Sequence, residues 1–484
     1  MTRSDHKHRL VVIGDSLSQG FMSGAIHRTD ISYPVFVADA LGVRSSFVVP
    51  DFSGQGGLPL NLEKLLGDLG DKFGRAINWW EVVPVLALLQ WKLDLVEDYW
   101  ERGKGSKAHY QVAVCNNLAV WGFEVRDALT VTEGACRRAI PTPRDNPLKQ
   151  VPEMPMYRTA RRVLNPTFGG ERTEWSQIRS ATALATEGGI ENLVIALGAN
   201  NALGTVISLH IEYSKDEDLH RMPHERSANL YLPEHFEILY ADLAHAVDQV
   251  EAKRVFVATV PHVTIPPLTR GVSPHGSALQ DGYYEFYTRP WIWDEVFDPD
   301  RHQHLTREEA RRIDEIIDSY NEIIRRTARQ RGWFVFDLCK LLDDLAFRRS
   351  NGQPKYKAPA GLTEALRDHE GLNYLVSSDG GVRLDSRFIR SDNSTPGRLI
   401  KGGIFSLDGV HPTTIGYSLI ADLLVKTMKK AKVEFPDDGE LPWNSIVQMD
   451  TLINNPPSML SSLRDCLAFF DKHGLLSSIL EHFE

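Results

Sequence analysis

The prediction of the fold starts from the stretch LVVIGDSLSQG, residues 10–20. Leu10 to Ile13 form a short, apolar, β-branched run, which is typical of a strand buried on both faces. The Gly-Asp-Ser that follows is rich in turn-forming residues, so the strand is predicted to end there. Ser16 is then either a nucleophile at the end of a strand or an ordinary turn serine.

Four further runs resemble this first strand, and helical patterns lie between several of the five runs. The runs are YQVAVC at 110–115, NLVIALG at 192–198, RVFVATV at 254–260 and WFVFDL at 333–338. Residues 234–252 and 307–332 carry apolar residues at three- and four-residue intervals, which predicts amphipathic helices. This alternation predicts an α/β protein with a doubly wound, flavodoxin-like parallel sheet.

Several stretches fit no strand-helix unit and are predicted to be insertions into one domain. They are rich in Pro, Gly, Trp or charge, and they lie at about 55–109, 133–187, 204–232, 268–306 and 346–400. The domain itself is predicted to span 9–432. Residues 433–484 are predicted to form a linker, EFPDDGELPW, followed by one or two amphipathic helices.

Charge and cysteine usage exclude several classes of protein. The chain has 484 residues and a formal net charge of −10, which argues against a protein that neutralises nucleic-acid phosphates. The four cysteines form no CxxC pair and have no companion histidines at zinc spacing, so we expect neither a disulfide framework nor a metal site. Reduced thiols fit a cytoplasmic location.

Neither a signal peptide nor a membrane span is predicted. The apolar run Leu10 to Ile13 is too short for a secretory signal and leads directly into Ser16, although leaderless secretion stays open. Residues 77–100 are apolar, but their longest charge-free run, 82–91, is far shorter than the roughly 20 residues of a spanning helix. Its tryptophans make 77–100 the candidate for the wall or lid of a binding site. Core packing or an intramolecular cover is favoured over contact with a membrane interface, which is the alternative.

A nucleophilic serine needs a base, and a base needs a group that fixes its tautomer. FSLDGVHPTTIGYSLIADLL, residues 405–424, places Asp408 three residues before His411 in a Gly-containing loop that precedes a predicted helix. That spacing can bring the carboxylate to the imidazole within one turn. His411 is therefore the candidate base, with Asp408 as its orienting partner.

An acyl-transfer site also needs donors for the oxyanion, and two loops that follow strands can supply them. Gly122 lies in NNLAVWGFEVRDAL (116–129), where a missing side chain lets a backbone N–H approach a substrate oxygen. Asn200 lies in VIALGANNAL (194–203) and carries an amide donor. In open α/β sheets both would face the crevice at the carboxyl ends of the strands.

These four segments together resemble the GDSL esterases and lipases of the SGNH hydrolase superfamily. The matching blocks are Gly-Asp-Ser-Leu at 14–17, Asn-Leu-Ala-Val-Trp-Gly at 117–122 and Asp-Gly-Val-His-Pro at 408–412. The third block usually reads GxND, whereas residues 198–201 read GANN, which puts in doubt the loop-bracing role of the aspartate. The resemblance implies that Ser16 is the nucleophile, His411 the general base and acid, and Asp408 its partner. It also implies an oxyanion hole made of the Ser16 and Gly122 N–H groups and the Asn200 amide.

The resemblance implies a serine esterase or lipase that hydrolyses a carboxylic ester through an acyl-enzyme, without metal or organic cofactor. A small-molecule or lipid ester is the expected substrate. The alternatives are a phospholipase or acyltransferase acting on lipid, and a catalytically idle binding scaffold. Acyl chain length, the alcohol portion and oligomeric state stay open.

Overall fold

The structure is a computed structural model, and it describes most of the chain. The described residues are 6–54, 57–75, 79–108, 113–143, 151–273, 278, 281–347, 355–392, 395, 397–462, 465, 467, 468 and 471.

The described residues contain the following strands and α-helices. The strands are β1 (Val11–Gly14), β2 (Ala25–Ile26), β3 (Leu58–Pro59), β4 (Ile190–Ala196), β5 (Ala252–Ala258), β6 (Arg270–Val272), β7 (Phe286–Thr288), β8 (Leu305–Thr306), β9 (Phe334–Phe336), β10 (Arg390–Ser391) and β11 (Leu399–Lys401). The helices are α1 (Ser16–Gln19), α2 (Tyr33–Ala40), α3 (Leu62–Phe73), α4 (Val82–Glu101), α5 (Asp127–Thr130), α6 (Glu133–Ala139), α7 (Pro155–Leu164), α8 (Gln177–Gly188), α9 (Asn200–Ser208), α10 (Pro233–Asp248), α11 (Arg307–Arg331), α12 (Leu338–Leu345), α13 (Ala360–Asp368), α14 (Thr414–Lys430), α15 (Trp443–Met449) and α16 (Thr451–Asn454).

A parallel four-stranded sheet forms the centre of the molecule, in the order β1-β4-β5-β9. Its register pairs Val12 with Val194, Val194 with Phe256, and Phe256 with Phe334. Four of the predicted strands are therefore confirmed. Parallel strands must be joined by crossover connections, and these connections contain the helices.

The fifth predicted strand, at 110–115, is not a strand where it is described. Residues 109–112 lie outside the described residues, and 113–115 adopt no strand conformation. The backbone reaches the free edge of β1 slightly later, where Asn117 forms an isolated parallel bridge with Val12. On the side away from β1, Asn116 and Asn117 donate their backbone N–H groups to Val48 O, at 2.8 and 3.2 Å. Val48 lies in a loop, so these two residues pair with a loop there and not with a strand.

Side-chain alternation along the strands divides the core into two layers. Val12, Val194 and Phe256 point into one core, which α2 and α14 cover. Ile13 and Val257 point into the other core, which α10 and α11 cover. Successive side chains of a strand point to opposite faces of the sheet. A strand that is apolar at every position must therefore be covered on both faces. Helices on both faces of a parallel sheet are compatible with a doubly wound α/β fold.

The two predicted helices are confirmed as α10 and α11. Helix α11 begins at a capping box, in which Thr306 accepts a hydrogen bond from the Glu309 N–H and the Glu309 carboxylate accepts one from the Thr306 N–H. It ends at Gly332, whose φ of 68° is the left-handed conformation that favours glycine.

The described part of the C-terminal extension packs on the core. Trp443, Ile446 and Leu452 are buried in the same core as α14, and Asp450 accepts a hydrogen bond from Ile415 N at 2.9 Å. Residues 472–484 of the predicted terminal helices lie outside the described residues.

The apolar segment at 77–100 is only partly packed in the core. Residues 76–78 lie outside the described residues, and α4 buries Val85, Leu89 and Trp100. Trp80 and Trp91 are 61% and 53% exposed. Across the described part of the chain, no helix has the length and apolar character needed to cross a bilayer.

Candidate active site

Ser16 lies at the carboxyl end of β1, on the first turn of α1. Asp15 caps this helix, and its side chain accepts a hydrogen bond from Leu17 N at 3.1 Å. The turn is tight at Gly14, because a Cβ there would lie 2.3 Å from Ser18 Oγ and 3.0 Å from Ala196 O. The helix ends at Gly20, whose φ is 91°. The strand-to-helix turn therefore fixes the backbone of Ser16.

The imidazole of His411 is oriented by Asp408, as the sequence predicts. His411 Nδ1 lies 3.0 Å from Asp408 Oδ2, and the two side chains are only 7% and 9% exposed. One face of the imidazole packs on Phe21, with ring centroids 4.6 Å apart. With Nδ1 engaged by Asp408, Nε2 is the ring nitrogen that remains for proton transfer.

The carboxylate of Asp408 is held by five hydrogen bonds. Oδ1 accepts from Val410 N and His411 N, both at 2.9 Å, and from Ser406 Oγ at 3.3 Å. Oδ2 accepts from Gly24 N at 2.9 Å in addition to His411 Nδ1. Burial raises the pKa of this carboxyl, but its charge interaction and hydrogen bonds with His411 outweigh burial and lower the pKa. Asp408 is therefore ionised at neutral pH.

The loop that carries Asp408 and His411 is joined to the loop after α1, almost 400 residues earlier. Ser406 Oγ accepts from Ser23 N at 2.9 Å, and Leu407 N donates to Ser23 Oγ at 3.4 Å. Gly409 has a φ of 69°, and a Cβ there would lie 2.8 Å from Leu268 N. These contacts place the histidine loop beside the serine turn.

The loop around Gly122 is anchored to α1. Gln19 Oε1 accepts from Trp121 N at 2.9 Å, and Asn117 Nδ2 donates to Ser18 O at 2.8 Å. Gly122 itself has a φ of 79°, which disfavours any residue with a Cβ. Because its anchors lie on the helix that begins with Ser16, the glycine loop and Ser16 have a fixed relative position.

Asn200 is the first residue of α9, directly after the turn that follows β4. Its Nδ2 donates to Phe123 O at 2.8 Å, which joins it to the glycine loop. An amide nitrogen has two hydrogens, so Asn200 can donate a second hydrogen bond besides the one to Phe123 O.

Asn201 occupies the position at which the GxND pattern has aspartate, and it does brace the neighbouring loop. Its Oδ1 accepts from Val125 N at 3.2 Å, and its Nδ2 donates to Glu124 Oε2 at 3.4 Å. Its side chain is fully buried. An asparagine in place of the aspartate therefore still braces the loop, because its amide donates to the carboxylate of Glu124.

Sequence reasoning missed the buried charge network beside this loop. Arg226 Nη1 lies 2.6 Å from Glu124 Oε2, and Nη2 lies 2.6 Å from Asp127 Oδ1. All three side chains are at most 12% exposed. Burial raises the pKa of Glu124 to about 7, against the lowering effect of Arg226. Arg226 comes from a predicted insertion about 100 residues away, so no local pattern could have identified the network.

The five predicted site residues line one cavity. Ser16, Gly122, Asn200, Asp408 and His411 all contribute to its wall, and we call this space the first lobe. A second cavity, the second lobe, shares Ser16, Asn200 and His411 with it and continues towards α12 and α14. In the described part of the chain, Ser16 Oγ forms no hydrogen bond with His411, and such contacts are often long without substrate.

Apolar side chains dominate both lobes. Four of the five predicted insertions contribute to the first lobe, through Leu62, Ile207, Leu268, Trp291 and Phe388. The second lobe is lined mainly by Leu338, Leu341, Leu342, Leu345, Ile404, Phe405 and Ile420. Among the described residues, none between 79 and 100 lines either lobe. Residues from the predicted insertions therefore shape the cavity, whereas the described residues of 77–100 contribute to neither lobe.

Asp15 is a buried carboxyl group next to Ser16. It is 2% exposed, and burial raises its pKa to about 7, with the Leu17 N–H and the charge of His411 acting in the opposite direction.

Comparison with known proteins adds no family to this picture. No protein-family model matches the chain, and no curated protein matches it.

Proposed function

We propose that this protein is a serine ester hydrolase of the GDSL type, an esterase or lipase. One observation carries the proposal: Ser16, a histidine oriented by a buried carboxylate, and two candidate oxyanion donors line the same apolar cavity. The parallel bridge between Asn117 and Val12 supports a flavodoxin-like strand order for the core, because it places the second segment of the chain outside β1.

In the proposed reaction Ser16 Oγ attacks the ester carbonyl while His411 Nε2 takes its proton. The ionised Asp408 holds the Nδ1–H of His411 and stabilises the imidazolium that forms. His411 then donates its proton to the leaving alkoxide, which departs as the alcohol. A water molecule repeats the sequence on the acyl-enzyme and regenerates Ser16.

The oxyanion would be bound by three donors. They are the backbone N–H groups of Ser16 and Gly122 and the second amide hydrogen of Asn200. The hydrogen bond from Asn200 to Phe123 supports this role, because it preorganises the amide before substrate binds.

The apolar walls favour a lipid ester as substrate. Two lobes converge on Ser16, so an apolar group could lie on each side of the scissile bond. The lining has few charged side chains besides those assigned to catalysis, which disfavours strongly anionic substrates. Lipid acyl transfer to an alcohol would use the same residues, and adding glycerol as acceptor separates transfer from hydrolysis by its products.

The experiment is hydrolysis of p-nitrophenyl esters from acetate to palmitate by wild type, Ser16→Ala and the control Ser46→Ala. Ser46 is exposed and lies outside both lobes. We expect turnover by wild type and the control, and almost complete loss in Ser16→Ala. Fluorophosphonate labelling of wild type serves as a second measurement. Absence of both turnover and labelling would contradict the proposal and favour an idle binding scaffold.

A further inference from the structure

A second group of chemically reactive side chains lies beside the second lobe. His262 is in the segment that follows β5, Cys339 and Asp343 are on α12, and Asp318 is on α11. His262 and Cys339 are 3% and 5% exposed, whereas the side chain of Asp343 is 27% exposed. The proposed ester hydrolysis uses none of these four residues.

Three of them hold different ligand atoms close together. His262 Nδ1 lies 2.9 Å from Asp343 Oδ1 and 3.5 Å from Cys339 Sγ, and the three ligand atoms lie within 4.8 Å of one another. Cys339 and Asp343 are four residues apart on one helix, so they share a helix face. A tetrahedral ion with bonds of 2.0–2.3 Å would hold its ligands roughly 3.4 Å apart. Cys339 Sγ also lies 3.9 Å from His262 Nε2, so the thiol or the imidazole must rotate before Sγ and the Nδ1 lone pair meet at one ion.

Asp318 gives the histidine the orientation that a metal ligand needs. Its Oδ1 lies 3.3 Å from His262 Nε2, on the side of the ring opposite Nδ1. A carboxylate that accepts the Nε2–H leaves the Nδ1 lone pair for a metal, which is how such histidines are usually oriented. Cys339 is also fixed, because its N–H donates to Thr259 Oγ1 at 2.9 Å.

We propose that His262 Nδ1, Cys339 Sγ and Asp343 Oδ1 bind one zinc ion, with a water as the fourth ligand. A sulfur, nitrogen and oxygen donor set at tetrahedral spacing suits Zn²⁺ better than the oxygen-seeking Mg²⁺ or Ca²⁺. On binding, Cys339 becomes a thiolate and His262 a neutral imidazole, and their protons pass to solvent. The partly exposed Asp343 provides the route of entry.

The ion would connect two walls of the second lobe. Pro261, Val263 and Pro266 flank His262, while Leu338 and Leu342 flank Cys339, and all five line that lobe. Zinc would therefore act as a clamp between the segment after β5 and α12. This site does not depend on Ser16 or on the proposed ester hydrolysis.

The test uses the full-length chain, stripped with a chelator and titrated with Zn²⁺ or with Co²⁺ as a spectroscopic probe. Wild type should bind one equivalent, and the cobalt form should show a thiolate-to-cobalt charge-transfer band. Cys339→Ala should lose that band, and Asp318→Asn should bind about 10–100-fold more weakly. Cys136→Ala is the matched control, since it removes another buried thiol that lies on α6. Circular dichroism verifies that each variant is folded.

Two outcomes would overturn the site: no stoichiometric metal in wild type, or an unchanged cobalt spectrum in Cys339→Ala. Either would mean that the four residues form an ion-pair cluster only. Ser16→Ala should bind metal like wild type, so a failed esterase assay and a failed metal titration are independent results.

Discussion

Asp408→Asn is the substitution whose effect follows most directly from the geometry. Oδ2 of Asp408 accepts hydrogen bonds from His411 Nδ1 and Gly24 N, and Oδ1 accepts from three donors. An amide nitrogen at the Oδ2 position would donate to Nδ1 and leave the N–H of Gly24 without its acceptor. His411 would then carry its proton on Nε2 and could not accept the proton of Ser16 in the proposed reaction.

We expect turnover to fall by about 10⁴, as in triads whose histidine is held in the wrong tautomer. That loss corresponds to about 5.4 kcal/mol of transition-state stabilisation. The unpaired N–H of Gly24 should separately cost about 1–3 kcal/mol of folding stability. The loss of transition-state stabilisation exceeds the loss of folding stability. The first removes the function of the base, whereas the second leaves one buried donor without an acceptor.

The assay compares kcat on the best p-nitrophenyl ester and urea unfolding for wild type, Asp408→Asn and the exposed control Asp300→Asn. A variant that stays folded and loses less than tenfold in kcat would refute the reasoning, because Asp408 would then not determine the tautomer of His411.

Three further predictions concern the neighbouring residues. Asn200→Ala should reduce kcat by about 10²–10³ with little change in KM, since one oxyanion donor is removed; an unchanged kcat would exclude the amide from the oxyanion hole. Asn201→Asp should lower the free energy of unfolding at pH 8 by about 1–3 kcal/mol, because a second carboxylate would replace the donor that faces Glu124; equal stability in a urea titration would contradict this. For Asp15 the folded pKa, about 7, exceeds the unfolded value of about 3.9, so it reduces stability as pH rises from about 4 to 7. Asp15→Asn should therefore be more stable than wild type at pH 8 and should lose that advantage at pH 4, as thermal unfolding at both pH values would reveal.

Several features of the site can be predicted from short segments of sequence alone. The run from Leu10 to Gly14 is apolar at every position, which is enough to predict a strand covered on both faces. Asp408 and His411 are three residues apart, so one loop can bring carboxylate and imidazole together. Local propensity and short spacing determine such features, because the interacting groups lie within a few residues of one another.

The predicted strand at 110–115 shows where local patterns fail. The described residues of that run, 113–115, form no strand, and the segment bridges β1 only at Asn117. The role of Asn201 could not be predicted from the sequence either, because it depends on a contact with Glu124 in another loop. In both cases the deciding partner lies far away in the chain.

By itself, the amino-acid sequence determined the four strands of the central sheet, helices α10 and α11, and the residues to consider for a serine hydrolase site. Only the tertiary structure decided that Gly24 braces Asp408 and that insertion residues such as Trp291 line the cavity. It alone brought His262 to Cys339. Periodicity and turn chemistry act between near neighbours, whereas contacts across hundreds of residues depend on how every intervening loop directs the chain.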